Sequence, residues 1–461
     1  MNLQRFISFR NYNYRDTAGD FYQQSAINIL ANMMVPLAGL CDTAFLGHLE
    51  DLKYFAGVIL GSILFDYLYR TLKFLRNSTT ALAAQAEGKG DKEEAILALL
   101  RCGLIALFIS LIIVGLQFPI RQLGFAVLSG SKDIELSGID YFNSRIYGTP
   151  AVLLNFVFLG WFLGSAKKGK LWVLAISFVA NGSNVLLDYL MISQWGWASW
   201  GAGLATAISQ YLALGVGLLG AFFLLDKNSL KSAFKKLFEA RALKEVLKLN
   251  GDTFVRFLAL ISAYSIFTNF SAAIGSESLA QNGLLIQIAL LSQFSIQGIG
   301  IATQALIGRA RGKKNYAKFV PLMVLAISSS LPLSLIFAIS PQLFPETIFG
   351  LFGNHEVLSQ GISRYTVWLL PLLLFTTLTF MFEAYFLGLK KGNRLRNSSL
   401  CSFAVFLPLA ILAKEFENVN LLWLSLCLYM FINAISLGFK MIAQQRQFAV
   451  VSNNISTKFT D

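Results

Sequence analysis

Long apolar runs, each bounded by Lys, Arg, Gly or Pro, recur along this chain from Phe21 to Ile442. Several reach the ~20 residues needed to cross the hydrocarbon core of a bilayer. A backbone in hydrocarbon must satisfy its own polar groups, which long helices do. Only 14% of the 461 residues are charged, against about 25% in soluble domains. The mean hydropathy is +0.59. The pattern predicts an all-α polytopic membrane protein and excludes a water-soluble globule.

Twelve spans are predicted, at 21–48, 53–76, 95–118, 138–163, 170–193, 200–225, 251–274, 279–307, 318–340, 359–387, 396–413 and 419–442. The start of the chain lacks the apolar core of a cleavable signal peptide, so the first span is read as retained. If the N-terminus lies inside, most of the 38 Lys and Arg fall in inner loops, and the outer loops hold only Lys53, Arg121, Lys132 and Lys414. The positive-inside rule then places both termini in the cytoplasm of a multi-pass cell (inner) membrane protein. The formal charge of +13 is accounted for by that topology and by anionic inner-leaflet lipid, with no nucleic acid and no obligatory protein partner implied.

Metal, redox and hydrolytic chemistry find no footing. Cys41, Cys102, Cys401 and Cys427 lie inside apolar runs without CxxC spacing and read as packed thiols. His48 and His355 are too few for an HExxH-type site, and no GxSxG elbow is present. The expectation is a protein that is not an enzyme and holds no cofactor.

The basic stretch 226–250 carries apolar residues at Leu230, Phe234, Leu237, Phe238, Leu243, Val246 and Leu247. It reads as an amphipathic helix on the membrane surface. Its place near the midpoint prompts a search for an internal repeat. A shift of 224 residues carries Ala56 onto Ala280, Thr79 onto Thr303, Gly88 onto Gly312, Tyr141 onto Tyr365 and Gly164 onto Gly388, without gaps. Each copy holds six spans, an even number, so the copies enter the membrane in the same sense and are related by an axis along its normal. The predicted organisation is an N-terminal segment 1–20, an N-lobe 21–225, the linker 226–250, a C-lobe 251–442 and a tail 443–461. Two six-helix lobes with a cleft between them suit alternating access around a site near the midplane.

Charges within spans are costly and so informative. Asp42 and Asp188 both fall deep in outward-running spans of the N-lobe. Asn181, Asn184 and Asp188 are spaced three and four apart and share a helix face. Thr206 on the sixth span can join them. Two carboxylates confined at one depth can hold a proton between them near neutral pH, although capping or bracing a bent helix is the plain structural alternative. The repeat supplies a control: position 188 maps to Leu412 and 184 to Pro408, so the acidic site belongs to one lobe. Asp66 and Arg70 read as an i, i+4 structural pair, Lys73 and Arg76 as snorkelling at an inner helix end, and Arg256 as an anchor. Glu383 reads as a second proton site or gate. Gln293, Gln297 and Gln304 share a face and either wet a substrate cavity or bond between helices. Pro36, Pro150 and Pro371 predict bends. A strongly cationic cavity is not expected.

VPLAGLCDTAFLGHL from Val35, FLRNSTTALAAQAEG from Phe74, NVLLDY from Asn184 and LIGRARG from Leu306 resemble the multidrug and toxic compound extrusion (MATE) family. FVRFLALISAY from Phe254 and EAYFLGLKKGNRLRNS from Glu383 place the resemblance nearest its DNA-damage-inducible protein F branch. The resemblance implies the MATE fold of two six-helix bundles, and a secondary active antiporter that exports small organic compounds, cationic or amphiphilic, in exchange for protons. It implies proton coupling through Asp42, Asn184 and Asp188, and adds Asn155 beside Thr206 as cavity residues. Relatives of this branch carry a proline fifteen residues before the first-span Asp, where this sequence has Ile27. Na⁺ is the alternative coupling ion, since oxygen-rich sites also take hard cations. A lipid or lipid-linked glycan flippase is the alternative function.

Overall fold

The computed structural model describes residues 14–47, 51–128, 131–350 and 364–457, with the side chains of 14–16, 35–44, 127, 166–168, 346, 349–350 and 449–457 outside that description. His48 and His355 therefore lie outside the described residues, as do the side chains of Pro36, Cys41 and Asp42. Among the described residues, eleven helices are long and apolar enough to cross a membrane. The first helix, Tyr14–Gly47, precedes them and completes the expected set of twelve.

Several spans are longer than predicted or broken. The second runs from Leu52 to Lys89, interrupted at Lys73, which joins two helical segments. The fourth covers Lys132–Gly164 and narrows to a 3₁₀ turn at Ile146–Gly148 just before Pro150. A second 3₁₀ turn, Thr366–Trp368, precedes Pro371 in the tenth. Both breaks fall where the proline ring removes a donor.

The linker departs from expectation. It is not one amphipathic helix: Lys227–Lys236 forms a short helix, and Ala240 already begins the seventh span, which runs to Ile274. The short helix is held to protein, with Ala233 and Leu230 packed on Ile96 and Leu97 of the third span. Arg101, buried in that span, donates to the Lys236 and Leu237 carbonyls at 2.6 and 3.1 Å, satisfying carbonyls that a helix end leaves open. Cys102 and Cys427 are buried free thiols as expected, whereas Cys401 is exposed on the outside of its span.

Helix packing follows the repeat. The fourth span packs on the second and on the sixth, and the tenth correspondingly on the eighth and on the twelfth. One apolar cluster fills the N-lobe around Phe65, Phe142 and Phe162. Two fill the C-lobe, around Phe267 and Trp423 and around Phe319 and Tyr385.

The lobes meet along the first, second, seventh and eighth spans, and the second and eighth close on each other at the end that carries Lys89 and Lys313. There a Cβ on Gly88 would lie 2.3 Å from the Arg309 carbonyl oxygen, and one on Gly312 would lie 2.3 Å from that of Gln85. Under the 224-residue shift Gly88 corresponds to Gly312 and Gln85 to Arg309, so these two contacts are images of each other. Gly308 faces its own repeat mate, Ala84, at 2.8 Å, which puts that pair on the pseudo-two-fold axis. Glycine is required here because the backbones touch, not because of a special φ. Gln85 adds a 2.7 Å bond to the Gly388 carbonyl and Gln304 a 2.6 Å bond to that of Asn77. Asn32 reaches the Phe294 carbonyl at 3.3 Å. Among the described residues, the side-chain hydrogen bonds between lobes all lie from this level towards the basic end.

Candidate functional site

In the N-lobe, Asp188 ends the regular α-helix of the fifth span, and a six-residue π-helical stretch, Tyr189–Gln194, follows it. Such wide turns are frequent at functional positions because they re-aim neighbouring side chains. Asp188 is 0% exposed, whereas its repeat mate Leu412 is 45% exposed on the outside of the C-lobe. One turn earlier Asn184 is also buried, and its Nδ2 has no partner among the described residues. Asn181 is only half-buried and donates to its own helix at Ser177 (2.7 Å). Of the three residues predicted to share a face, two are therefore withdrawn into the lobe. Asp42 belongs to the first helix, which packs on the fifth span; its side chain lies outside the described residues.

Asn155 and Thr206 sit inside the same lobe, away from the cavities between lobes. Asn155 donates to the backbone oxygen and to Oε1 of Gln210, at 2.9 and 3.1 Å, tying the fourth span to the sixth. Thr206 donates to the Ala202 carbonyl of its own helix. Gln210 was not anticipated: between Ser209 and Tyr211 it carries no sequence signal until Asn155 is found opposite.

A cavity of about 250 Å³ opens between the second, seventh and eighth spans. Its polar wall holds Gln293, Gln297, Tyr264, Asp66, Arg70 and Lys73. Gln293 Nε2 donates to the Tyr264 hydroxyl at 2.6 Å, and Arg70 pairs with Asp66 at 3.3 Å. Towards the basic end a smaller cavity of about 60 Å³ adjoins it, sharing Lys73, Phe257 and Gln297 and reaching Arg76, Arg256 and Glu383. Gln293 and Gln297 thus line the cleft, and Gln293 at the same time bonds the eighth span to the seventh. Gln304 lines the smaller cavity and bonds between lobes.

Two expectations for this region need correction. Arg256 is not a surface anchor: it grips Glu383 in a two-pronged ion pair, Nε to Oε1 at 2.6 Å and Nη2 to Oε2, with both side chains under a tenth exposed. The cleft is also more cationic than expected. Lys73 and Arg76 sit partway along a helix that continues to Lys89, so they face the interior instead of snorkelling at its end.

A buried charge left alone is costly, whereas apolar replacement of both partners is tolerated. Glu383→Gln is therefore expected to destabilise the protein by about 3–5 kcal/mol, lowering its melting temperature in detergent by several degrees. The Arg256→Met/Glu383→Leu double variant should melt near the wild type. Equal loss in both variants would contradict the pairing.

The sequence profile of the MatE family matches residues 28–190 and 253–412, one segment in each lobe. DNA damage-inducible protein F of Escherichia coli is 29% identical over 410 residues, 89% of either chain. A probable multidrug resistance protein NorM of Thermotoga maritima is 23% identical over 380 residues, 80% of either chain. A multidrug resistance MATE family transporter of the MOP superfamily, solved in an outward-facing conformation, superposes with a TM-score of 0.82 at 18% identity, over 94% of this chain and 96% of that one. The two matched segments coincide with the two halves of the repeat, and together with the twelve-helix architecture they mean that this chain, a multi-pass membrane protein, belongs to the MatE family of multidrug transporters.

Proposed function

We propose that this protein is a secondary antiporter that exports organic amphiphiles in exchange for protons, loading the proton at the N-lobe carboxylates and moving substrate through the cleft between lobes. The observation that carries the reading is Asp188: fully buried, beside buried Asn184, at the point where the fifth span widens. Carboxylates within spans are rare and mark ion and proton pathways, and the repeat mate Leu412 shows that the scaffold itself does not need one here. With the basic end cytoplasmic, the contact of Gly88 and Gly312 closes the inner side, and the conformation is outward-facing. Exchange follows if protonation and substrate favour different closures of the lobes. One proton entering through 100 mV and one pH unit supplies roughly 3.7 kcal/mol, enough for several-hundred-fold accumulation of a neutral compound.

The test is efflux of a panel of fluorescent organic compounds from proteoliposomes under an imposed pH gradient, with Na⁺ varied. Efflux that follows the pH gradient and ignores Na⁺ is expected. A strict requirement for Na⁺ would replace the proton with the alternative ion. Lipid flipping is the second reading, favoured by the cationic side chains in the cleft, and its signature is phospholipid movement between leaflets of the same vesicles.

A further inference from the structure

We propose that the cleft takes an amphiphile with an anionic oxyacid head, a carboxylate, sulfonate or phosphate, held by Arg76 and Lys73. This rests on the export reading above and names its substrate class. The cations of the two cavities divide into neutralised and free. Arg70 has Asp66 and Arg256 has Glu383, and among the described residues these are the only carboxylates on the walls of the two cavities. Arg76 is 8% exposed and gives Nη1 to Asn32 Oδ1 at 3.1 Å, while its Nε and Nη2 are buried without a partner among the described residues. The Lys73 ammonium lies over the Phe294 ring, 5.3 Å from its centre, with no carboxylate in salt-bridge range among the described residues.

Two guanidinium donors, buried beside the cavity and unpartnered among the described residues, are matched by a two-oxygen anion, which the planar fork binds in two prongs once the side chain turns them into the cavity. A cationic ligand would instead meet two uncompensated positive charges at close range. The larger cavity supplies the apolar bed, with Phe257, Leu260, Ile261 and Leu290 on its walls. The head therefore sits towards the basic end and the body towards the other.

The experiment is equilibrium binding to the purified full chain in a neutral maltoside detergent. It uses three dansyl-labelled undecyl probes that differ only at the end: a carboxylate, its methyl ester and a trimethylammonium. The carboxylate should bind at least about tenfold tighter than the ester, with the cation weakest. That preference should disappear in Lys73→Gln and Arg76→Gln and persist in part in Arg76→Lys. Unchanged ester affinity shows that a variant is folded. If Arg76→Gln does not fold, Lys73→Gln carries the test, because its Nζ makes no hydrogen bond among the described residues. Equal binding of the three probes, or a carboxylate preference that survives in the variants, overturns the proposal. In nanodiscs, displacement of the carboxylate probe by phosphatidylglycerol and not by phosphatidylcholine assigns the head to a bilayer lipid; no displacement assigns it to a free amphiphile. No gradient is applied, so failure of proton coupling and failure of anion binding are read separately.

Discussion

Asp188→Asn is expected to reduce proton-driven efflux to the rate of protein-free vesicles while leaving the purified protein close to the wild type in heat stability. The substitution removes the charge and keeps the volume, so packing around a residue with no exposed surface is preserved. What disappears is the ability to alternate between charged and neutral forms, which coupling requires. The amide keeps an oxygen acceptor in the same place, hence a stability close to that of the wild type. Asp42→Asn should behave in the same way, since the first helix packs against the fifth span. A variant that is silent in transport and melts far below the wild type would instead mark Asp188 as structural. Full proton-driven transport by Asp188→Asn would remove the residue from the mechanism.

Gly88→Leu and Gly312→Leu should each prevent closure of the basic end. Any side chain at Gly88 must displace a backbone oxygen that its Cβ would approach to 2.3 Å, and the repeat imposes the same limit at Gly312. The strain exists only when the second and eighth spans touch. It therefore biases the conformational equilibrium more than it unfolds the lobes. Overpacking of this kind costs about 1–3 kcal/mol, and each 1.4 kcal/mol shifts the balance tenfold, so a shift of about ten- to hundredfold towards the open inner side is expected. Spin labels introduced at Lys89 and Lys313 should report a longer and broader distance distribution in either variant, with efflux reduced to match. Unaltered distances would show that this contact is not the gate.

The scaffold was legible in the sequence because hydropathy and the 224-residue repeat are one-dimensional signals. Six spans per copy dictate the relation of the lobes, and prolines at 150 and 371 mark where helices break. The repeat also anticipated which contacts are paired, down to Gly88 and Gly312, though not that their backbones meet. What was not legible depends on where helices end and on partners far apart in the chain. The second span was read as ending at residue 76 because Lys73 and Arg76 resemble a terminal basic cluster; the helix continues through the small, polar residues to Lys89 because the fourth span of its own lobe and the eighth span of the other bury them. Arg256 and Glu383 are separated by 127 positions, and Asn155 and Gln210 by 55. No spacing rule joins such pairs before the helices are packed. The linker was misread because its apolar residues suit a lipid surface and a protein surface equally well.

Proton exchange for substrate through the N-lobe is tested by recording both fluxes at once. Proteoliposomes holding an internal pH dye and a fluorescent substrate are given a substrate gradient with no pH gradient and no Na⁺. Substrate leaving the vesicles should drive protons in, with the two traces sharing one rate and both vanishing in Asp188→Asn. Substrate movement with no change in internal pH, or movement that begins only when Na⁺ is added, would contradict it.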